Sequence, residues 1–137
     1  MAKVFIGAAA GFAGDRSDAG GPIVDALAAQ SGPRFLMYET LAERTLALCQ
    51  LERRQNPQLG YSPALDRMLP PVLARCLAAG IKIVGNFGAA NPRAAAERIL
   101  TLARGRQLHG RSLRRHQLAA SNAVGQHIHE VIIYLIA

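Results

Sequence analysis

The stretch Lys3-Val-Phe-Ile-Gly7-Ala-Ala-Ala-Gly11-Phe-Ala-Gly14-Asp15 decides the expected fold. Its first four residues favour a β-strand, and the glycines that follow are typical of a tight loop at the end of a buried strand. A helix is predicted next over 22–30, with Pro22 in its first turn, where proline is tolerated. The chain therefore opens with a strand, a glycine-rich loop and a helix.

The same order recurs further along the chain. A second strand is predicted over 34–38 and leads directly into a helix over 39–54, whereas the third strand, over 81–84, runs into the glycine loop 85–90. Asn91 is expected to cap the next helix, which ends near Gly105. Repeated strand-to-helix units predict parallel strands with right-handed crossovers. The fold class is therefore α/β: a parallel sheet with glycine-rich strand-to-helix loops, flanking helices and Rossmann-like layering.

One further helix is predicted between the second and third strands, over 64–79. Ser62 is expected to cap it, with Pro63 in its first turn. The pair Pro70-Pro71 should kink or restart this helix, and Gly80 should end it.

Composition excludes several classes of protein. The chain has 137 residues, 50% of them hydrophobic and 18% charged, which excludes an intrinsically disordered chain and fits one domain. Aromatic residues are 5% and Trp is absent, which disfavours a single-strand nucleic-acid binder. Cys49 and Cys76 lie in apolar stretches without CxxC spacing, so we expect a reducing, cytoplasmic location. No apolar run is long enough to predict a membrane span.

The net charge of the chain is +7, and the distribution of basic residues changes near residue 105. All four histidines lie beyond it, as does the basic run Arg111–Arg115, which lacks the interleaved aromatics of a nucleic-acid site. His127 and His129 have no third ligand nearby, so no metal site is predicted. We divide the chain into an α/β domain over 1–104 and an atypical tail over 105–137, in which the apolar run 131–136 predicts one more strand.

Ligands of parallel α/β sheets bind beyond the carboxyl ends of the strands. At these ends lie Asp15, Glu39, Asn86 and Asn91, which we expect to converge. The loop glycines Gly7, Gly11 and Gly14 fit three interpretations: a tight turn alone, a site for a phosphate or CoA-type anion, or an NAD(P) site. Their spacing is not the G-x-G-x-x-G of dinucleotide-binding folds.

The carboxylates and the second loop also allow alternatives. On one helix, Glu39 and Glu43 would share a face, where they could divide general acid and base roles; alternatively, Glu39 stabilises the helix dipole and Glu43 pairs with an arginine. Asn86 could orient a ligand carbonyl or hold a neutral turn. Gly88 and Asn91 are further candidates for ligand binding, although Asn91 is equally explained as a helix cap.

Four segments in the same order resemble the acyclic terpene utilisation (AtuA) family. The segment 7–16 is similar to its G-x-G-F-x-G-D opening, and Glu39-Thr-Leu-Ala-Glu43-Arg-Thr45 to its D-Y-L-A-E-x-T segment. The segment 56–61 resembles its dPsLGY loop, and 80–92 its G-[IV]-K-[IV]-V-x-N-x-G-G-x-N-P element. Departures are Glu39 for Asp, Thr40 for Tyr and Ala89 for the second Gly of the last element.

The resemblance implies a place in bacterial catabolism of citronellol or geraniol, beside acyl-CoA enzymes. Family members are several times longer, and nothing of the family's continuation follows residue 108, so the chain resembles an N-terminal portion or a truncated paralogue. We therefore expect it to bind or act on an acyl-CoA or carboxylated intermediate. The glycine loops would hold the anion, Glu39 or Asp15 would transfer a proton, and Asn86 would polarise a carbonyl.

Two other functions remain open. A non-catalytic subunit would use the sheet edge and the 131–136 strand to pair with a partner or a second copy. An NAD(P)-dependent oxidoreductase is disfavoured by the glycine spacing. No cofactor is identified, whether the chain is an enzyme stays open, and a homo-oligomer or pathway subunit is expected, with no specific nucleic-acid or membrane partner.

Overall fold

A computed structural model describes residues 3–106 and 108, and the backbone of two short strands at 119–120 and 133–135. The elements in chain order are β1 (Phe5–Gly11), α1 (Gly20–Ala28), β2 (Arg34–Glu39), α2 (Glu43–Gln55), α3 (Leu65–Met68), α4 (Leu73–Ala79), β3 (Lys82–Gly85), α5 (Pro92–Gly105), β4 (Ala119–Ala120) and β5 (Ile133–Leu135).

The sheet has five strands in the order β1-β2-β3-β5-β4. Strands β1, β2 and β3 are mutually parallel, which confirms the predicted α/β class with a parallel sheet and flanking helices. β5 pairs antiparallel with β3, and β4 antiparallel with β5. β5 falls inside the apolar run 131–136; the rest of that run, the basic run Arg111–Arg115, His127 and His129 lie outside the described residues.

Four helices, α1, α3, α4 and α5, pack on one face of the sheet, the helix-covered face. The buried Cys49 of α2 packs instead in a separate cluster with Ala89 and Ala90. Cross-strand partners on this face are Gly7, Leu36 and Ile83, and next to them Ala10 and Tyr38. Leu36, Ile83, Ala10 and Tyr38 belong to one hydrophobic core. The core also takes buried side chains from four helices: Val24 of α1, Leu65 of α3, Leu73 of α4 and Ile99 of α5. α1 lies so close that a Cβ on Gly7 would collide with Ile23 Cγ2.

The opposite face of the sheet, the open face, carries two cross-strand rows. Ile6, Phe35 and Lys82 form one row, and Ala8, Met37 and Val84 the other. Ile6 is 67% exposed and Met37 43% exposed, because no described helix packs on them. Rossmann-like layering, with helices on both faces, is therefore not confirmed in the described part of the chain.

Most predicted helix boundaries agree with the structure. The pair Pro70-Pro71 separates α3 from α4, and Gly80 ends α4 in the left-handed conformation with φ 64°. Asn91 caps α5 by accepting a hydrogen bond from the Ala94 N–H, with Pro92 in the first turn.

Three helix starts differ from the prediction. α1 begins at Gly20, two residues before the predicted start. α2 begins at Glu43 rather than Glu39, because Glu39 still pairs with Gly11 in the sheet ladder. Ser62 does not cap α3: Ala64 occupies that position, and only the Ser62 backbone carbonyl accepts a hydrogen bond, from the Leu65 N–H. The Ser62 hydroxyl therefore lies outside the helix cap.

Candidate functional site

The predicted first glycine loop is shorter than expected, because β1 extends to Gly11. Gly7 and Gly11 therefore lie in the strand, and Gly14 alone of the three glycines lies in the loop that Asp15 closes. The Asp15 carboxylate accepts hydrogen bonds from the Gly11 N–H at 2.8 Å and the Arg16 N–H at 2.7 Å. These backbone donors hold the pKa of Asp15 below its usual value. Gly14 turns the same loop with φ +91°, a conformation that favours glycine. The geometry thus explains Asp15 as the residue that holds the loop, and both of its oxygens are engaged.

Glu39 and Asn86 meet at the carboxyl ends of β2 and β3. The Asn86 amide nitrogen donates to Glu39 Oε1 at 2.5 Å, and the Leu41 N–H donates to the same oxygen at 2.8 Å. Asn86 Oδ1 accepts from the Thr40 N–H at 2.8 Å and from Thr40 Oγ1 at 3.1 Å. Asn86 is buried and committed to protein partners, whereas Glu39 Oε2 has no partner among the described residues.

Glu43 is separated from this network. It opens α2 as an exposed acidic residue in the first turn, whereas Glu39 ends a strand. The predicted helical face shared by Glu39 and Glu43 is therefore wrong, because the residues between them are extended. The position of Glu43 suits the positive end of the helix dipole.

The second glycine loop is held by its own hydrogen bonds. The Asn91 amide donates to the Pro57 and Leu59 carbonyls at 2.7 Å each, in addition to its capping bond. The Gly88 carbonyl accepts from the Asn91 N–H at 2.7 Å within a buried turn. The side chain of Asn91 thus fastens the 56–59 loop to the start of α5. Asn91 also lines a polar cavity of about 280 Å³, together with Arg53 and Arg93.

A second cavity, the strand-edge cavity, lies beyond the carboxyl end of β2 and has a volume of about 190 Å³. Of the residues predicted to form a site, only Gly14 lines it. Apolar walls come from Leu41, Leu48 and Cys49. Burial raises the pKa of the Cys49 thiol, so this side chain stays protonated near neutral pH and acts as part of the apolar wall.

The polar groups of the strand-edge cavity are three hydroxyls and two charges. Thr40, Thr45 and Ser62 supply the hydroxyls, and the exposed side chains of Glu52 and Arg67 the charges. Thr40 and Thr45 are already bonded to protein groups. Ser62 is only 5% exposed, and its hydroxyl has no partner among the described residues.

Ser62 is fixed in place by its backbone. Its N–H donates to the Phe87 carbonyl at 2.8 Å, which ties the segment before α3 to the loop after β3. Neither Glu52 nor Arg67 forms an ion pair with another described residue. The cavity therefore combines an apolar wall, one hydroxyl without a described partner and an available guanidinium.

The sequence patterns do not predict Ser62 and Arg67 as site residues. The capping pattern Ser62-Pro63 explained the serine completely, and Arg67 was one of 16 basic residues without a distinguishing motif. Their position in the chain was the available signal. Ser62 precedes α3 and Arg67 lies within it, and this helix follows the predicted 56–61 loop.

Other kinds of site are absent from the described residues. Within residues 3–106, no group of three or more His, Cys, Asp and Glu side chains is arranged to hold a metal ion. None of the helices described is long and apolar enough to cross a membrane.

Parallel strands with crossover helices, and a cavity at the carboxyl edge of those strands, define an α/β protein with the ligand position typical of that class. A family model described as acyclic terpene utilisation family protein AtuA matches residues 4–113. The chain therefore belongs to the AtuA family. The match spans every element from β1 to α5 and all four resembling segments. Neither the curated proteins nor the solved structures contain a match.

Proposed function

We propose that this AtuA-family chain binds a small apolar carboxylate, of the kind expected in acyclic terpene utilisation, in the strand-edge cavity. The observation that carries the proposal is the Ser62 hydroxyl, which belongs to a residue only 5% exposed, lines the cavity and forms no hydrogen bond with another described residue. A hydroxyl that has no protein partner and lines a cavity is free to donate a hydrogen bond to a ligand bound there.

The proposed contacts follow from the chemistry of the lining. The Arg67 guanidinium would donate to the ligand carboxylate, a pairing for which its planar donors are suited. Ser62 would donate to the same carboxylate, while Leu41, Leu48 and Cys49 would pack against the hydrocarbon chain. Glu52 would repel a second negative charge and so favour a ligand with only one anionic end.

The size of the cavity favours a free acid over a CoA ester. Its volume of about 190 Å³ is below the range of roughly 300–1,000 Å³ typical of sites for larger ligands. A short branched acyl chain fits such a space, whereas the nucleotide of a CoA ester would remain in solvent. Formation of a thioester also removes the carboxylate that Arg67 would bind.

Binding, rather than catalysis, is the function that these contacts support. Asp15 and Asn86 use their polar atoms within the protein. Glu39 retains one carboxylate oxygen for a proton-transfer role, but it does not line the cavity. The predicted catalytic roles of Asp15, Glu39, Glu43 and Asn86 therefore remain outside this proposal.

Isothermal titration with citronellate, at neutral pH and low salt, tests the proposal. We expect binding that Arg67→Gln weakens about tenfold or more, because a charge-assisted hydrogen bond contributes roughly 1.5–3 kcal/mol. Ser62→Ala should weaken binding about two- to tenfold. Arg44→Gln, which removes an exposed α2 arginine outside the cavity, is the matched control and should bind like the unmodified chain.

Titration with two further ligands separates binding of a free acid from binding of an acyl-CoA or an alcohol. Citronellyl-CoA should bind more weakly than citronellate; tighter binding of the ester would assign the chain to acyl-CoA recognition instead. Geraniol, which lacks the carboxylate, should bind weakly and without dependence on Arg67. Equal affinity of the acid for all three proteins would contradict the proposal, provided that their thermal unfolding midpoints agree.

A further inference from the structure

The polar cavity has no part in the proposed function. It is lined by α2, α5 and residues 57–58, and its volume is about 280 Å³. Its polar side chains are Arg53, Gln58, Asn91, Arg93 and Glu97. The amide nitrogen of Asn91 already donates to two backbone carbonyls. The cavity therefore offers a ligand two guanidinium groups, the Gln58 amide and one carboxylate.

Arg53 is held in place by its surroundings. Its Nη1 donates to the Ala90 carbonyl at 2.6 Å. Gly60, with φ +93°, packs so close to α2 that an added Cβ would lie 2.7 Å from Arg53 Cβ. Arg53 forms no ion pair with another described residue. Its remaining donors therefore face an anion with little side-chain entropy left to lose on binding.

Arg93 supplies the second positive charge from α5. Its Nε lies 3.3 Å from Glu97 Oε1, longer than the roughly 2.7–2.9 Å of a strong charge-assisted hydrogen bond. The two side chains are 91% and 56% exposed, so the pair is weak. Neither Nη atom of Arg93 has a partner among the described residues. Two guanidinium groups and one carboxylate leave the cavity with a net positive charge.

We propose that the polar cavity binds a phosphate group, either free or as a phosphomonoester. One guanidinium is enough to bind a planar carboxylate through both oxygens, whereas a tetrahedral phosphate can accept from two guanidinium groups on different helices. A phosphate near neutral pH also carries nearly two negative charges, which suits two arginines. The volume is below the range of roughly 300–1,000 Å³ typical of larger ligands, so the cavity would hold the phosphate and not a whole nucleotide.

Chemical-shift titration of the isotope-labelled chain with inorganic phosphate, at low salt and neutral pH, tests the proposal. We expect saturable shifts at Arg53, Gln58 and Arg93. Arg53→Gln should weaken binding about tenfold, because it removes charge-assisted hydrogen bonds from a positioned donor. The matched control is Arg54→Gln, which makes the same change of charge one residue away and outside the cavity, and should alter the affinity less than about twofold.

Glu97→Gln makes the result independent of folding defects, because it should strengthen phosphate binding about threefold by removing a like charge. Weaker binding by this variant, equal weakening by Arg53→Gln and Arg54→Gln, or the absence of saturable shifts with phosphate would overturn the proposal. Acetate should bind more weakly than phosphate, and tighter binding of acetate would also overturn it.

Adenosine monophosphate and adenosine distinguish the two sources of the phosphate. Tighter binding of the monophosphate than of inorganic phosphate would support the proposal and assign the cavity to a phosphomonoester. Equal or weaker binding would support it and assign the cavity to free phosphate. Adenosine should cause no shifts at Arg53 and Arg93, and saturable shifts there would overturn the proposal, because the nucleoside would then be the group recognised.

Discussion

Asn86 joins the carboxyl ends of β2 and β3 through hydrogen bonds to Glu39 and to the backbone and side chain of Thr40. Because the site is buried, truncation leaves these partners unsatisfied. Asn86→Ala should therefore lower the free energy of unfolding by about 2–4 kcal/mol, measured by urea denaturation. The control Asn56→Ala removes one exposed local bond and should cost less than about 1 kcal/mol. Equal losses would contradict the assigned network.

Gly7 and Gly11 lie in the same strand, β1, but differ in the space around them. A Cβ on Gly7 would collide with Ile23 and lie 3.3 Å from Leu27 Cδ1, whereas one on Gly11 meets only Asp15 Oδ2, at 3.7 Å. Gly7→Ala should lower the free energy of unfolding by about 1–3 kcal/mol, the usual cost of overpacking. Gly11→Ala should change it little. Thermal unfolding of the two variants compares them, and the reverse order would show that α1 does not pack on Gly7.

Glu39 and Glu43 show why residue spacing alone does not predict that two side chains share a helical face. Glu39 and Glu43 lie four residues apart, a spacing that places two side chains on one face only if the whole segment is helical. The ladder bond between β1 and β2 keeps Glu39 extended, and this tertiary contact leaves no local trace. The Asn91 cap, in contrast, was predictable, because Asn followed by Pro is a local signal.

Helix α4 places Cys76 in the same hydrophobic core as Tyr38 of β2. Burial raises the pKa of Cys76 to about 12, from an ordinary value of 9.0, and raises that of Tyr38 as well. The unfolded chain therefore ionises at a lower pH than the folded one. Stability is fully present below pH 9.0 and falls as the pH rises towards 12.

The raised pKa of Cys76 predicts how steeply the free energy of unfolding falls with pH. Between pH 9 and 10 the Cys76 thiol should reduce the free energy of unfolding by up to about 1.4 kcal/mol per pH unit. Cys76→Ala costs stability at every pH but should flatten this slope, measured in urea titrations at several pH values. Tyr38→Phe should flatten it only above pH 10, the ordinary value for tyrosine. An unchanged slope in Cys76→Ala would contradict the burial of the thiol.

The elements of the strand-edge cavity were predictable one by one, but their assembly was not. Strand β2, the break at Pro70-Pro71 and the C-terminal ends of α2 and α4 follow from local patterns, whereas the starts of α2 and α3 do not. The cavity forms because α2 and the segment before α3 meet beyond β2, and that meeting depends on long-range bonds such as Ser62 N–H to Phe87 O. Such contacts have no periodicity that a single sequence reveals.

For the whole molecule, the parallel order of β1, β2 and β3 follows from the repeated strand-to-helix pattern. The face of the sheet on which the helices pack does not follow from that pattern. Ile6 and Met37 are as apolar as Leu36 and Ile83, so composition predicts burial of both faces. Only the structure shows that the described helices cover one face and leave the other open.

Chemical-shift mapping of the isotope-labelled chain tests whether the strand-edge cavity binds an apolar carboxylate. Titration with citronellate should shift the backbone amides of Thr45, Leu48, Ser62 and Arg67, which line that cavity. Saturating shifts confined to these positions are the predicted result. Shifts centred on Ile6 and Met37, or on Arg53 and Arg93 at the other cavity, would contradict it, because the ligand would then occupy the open face or the polar cavity instead.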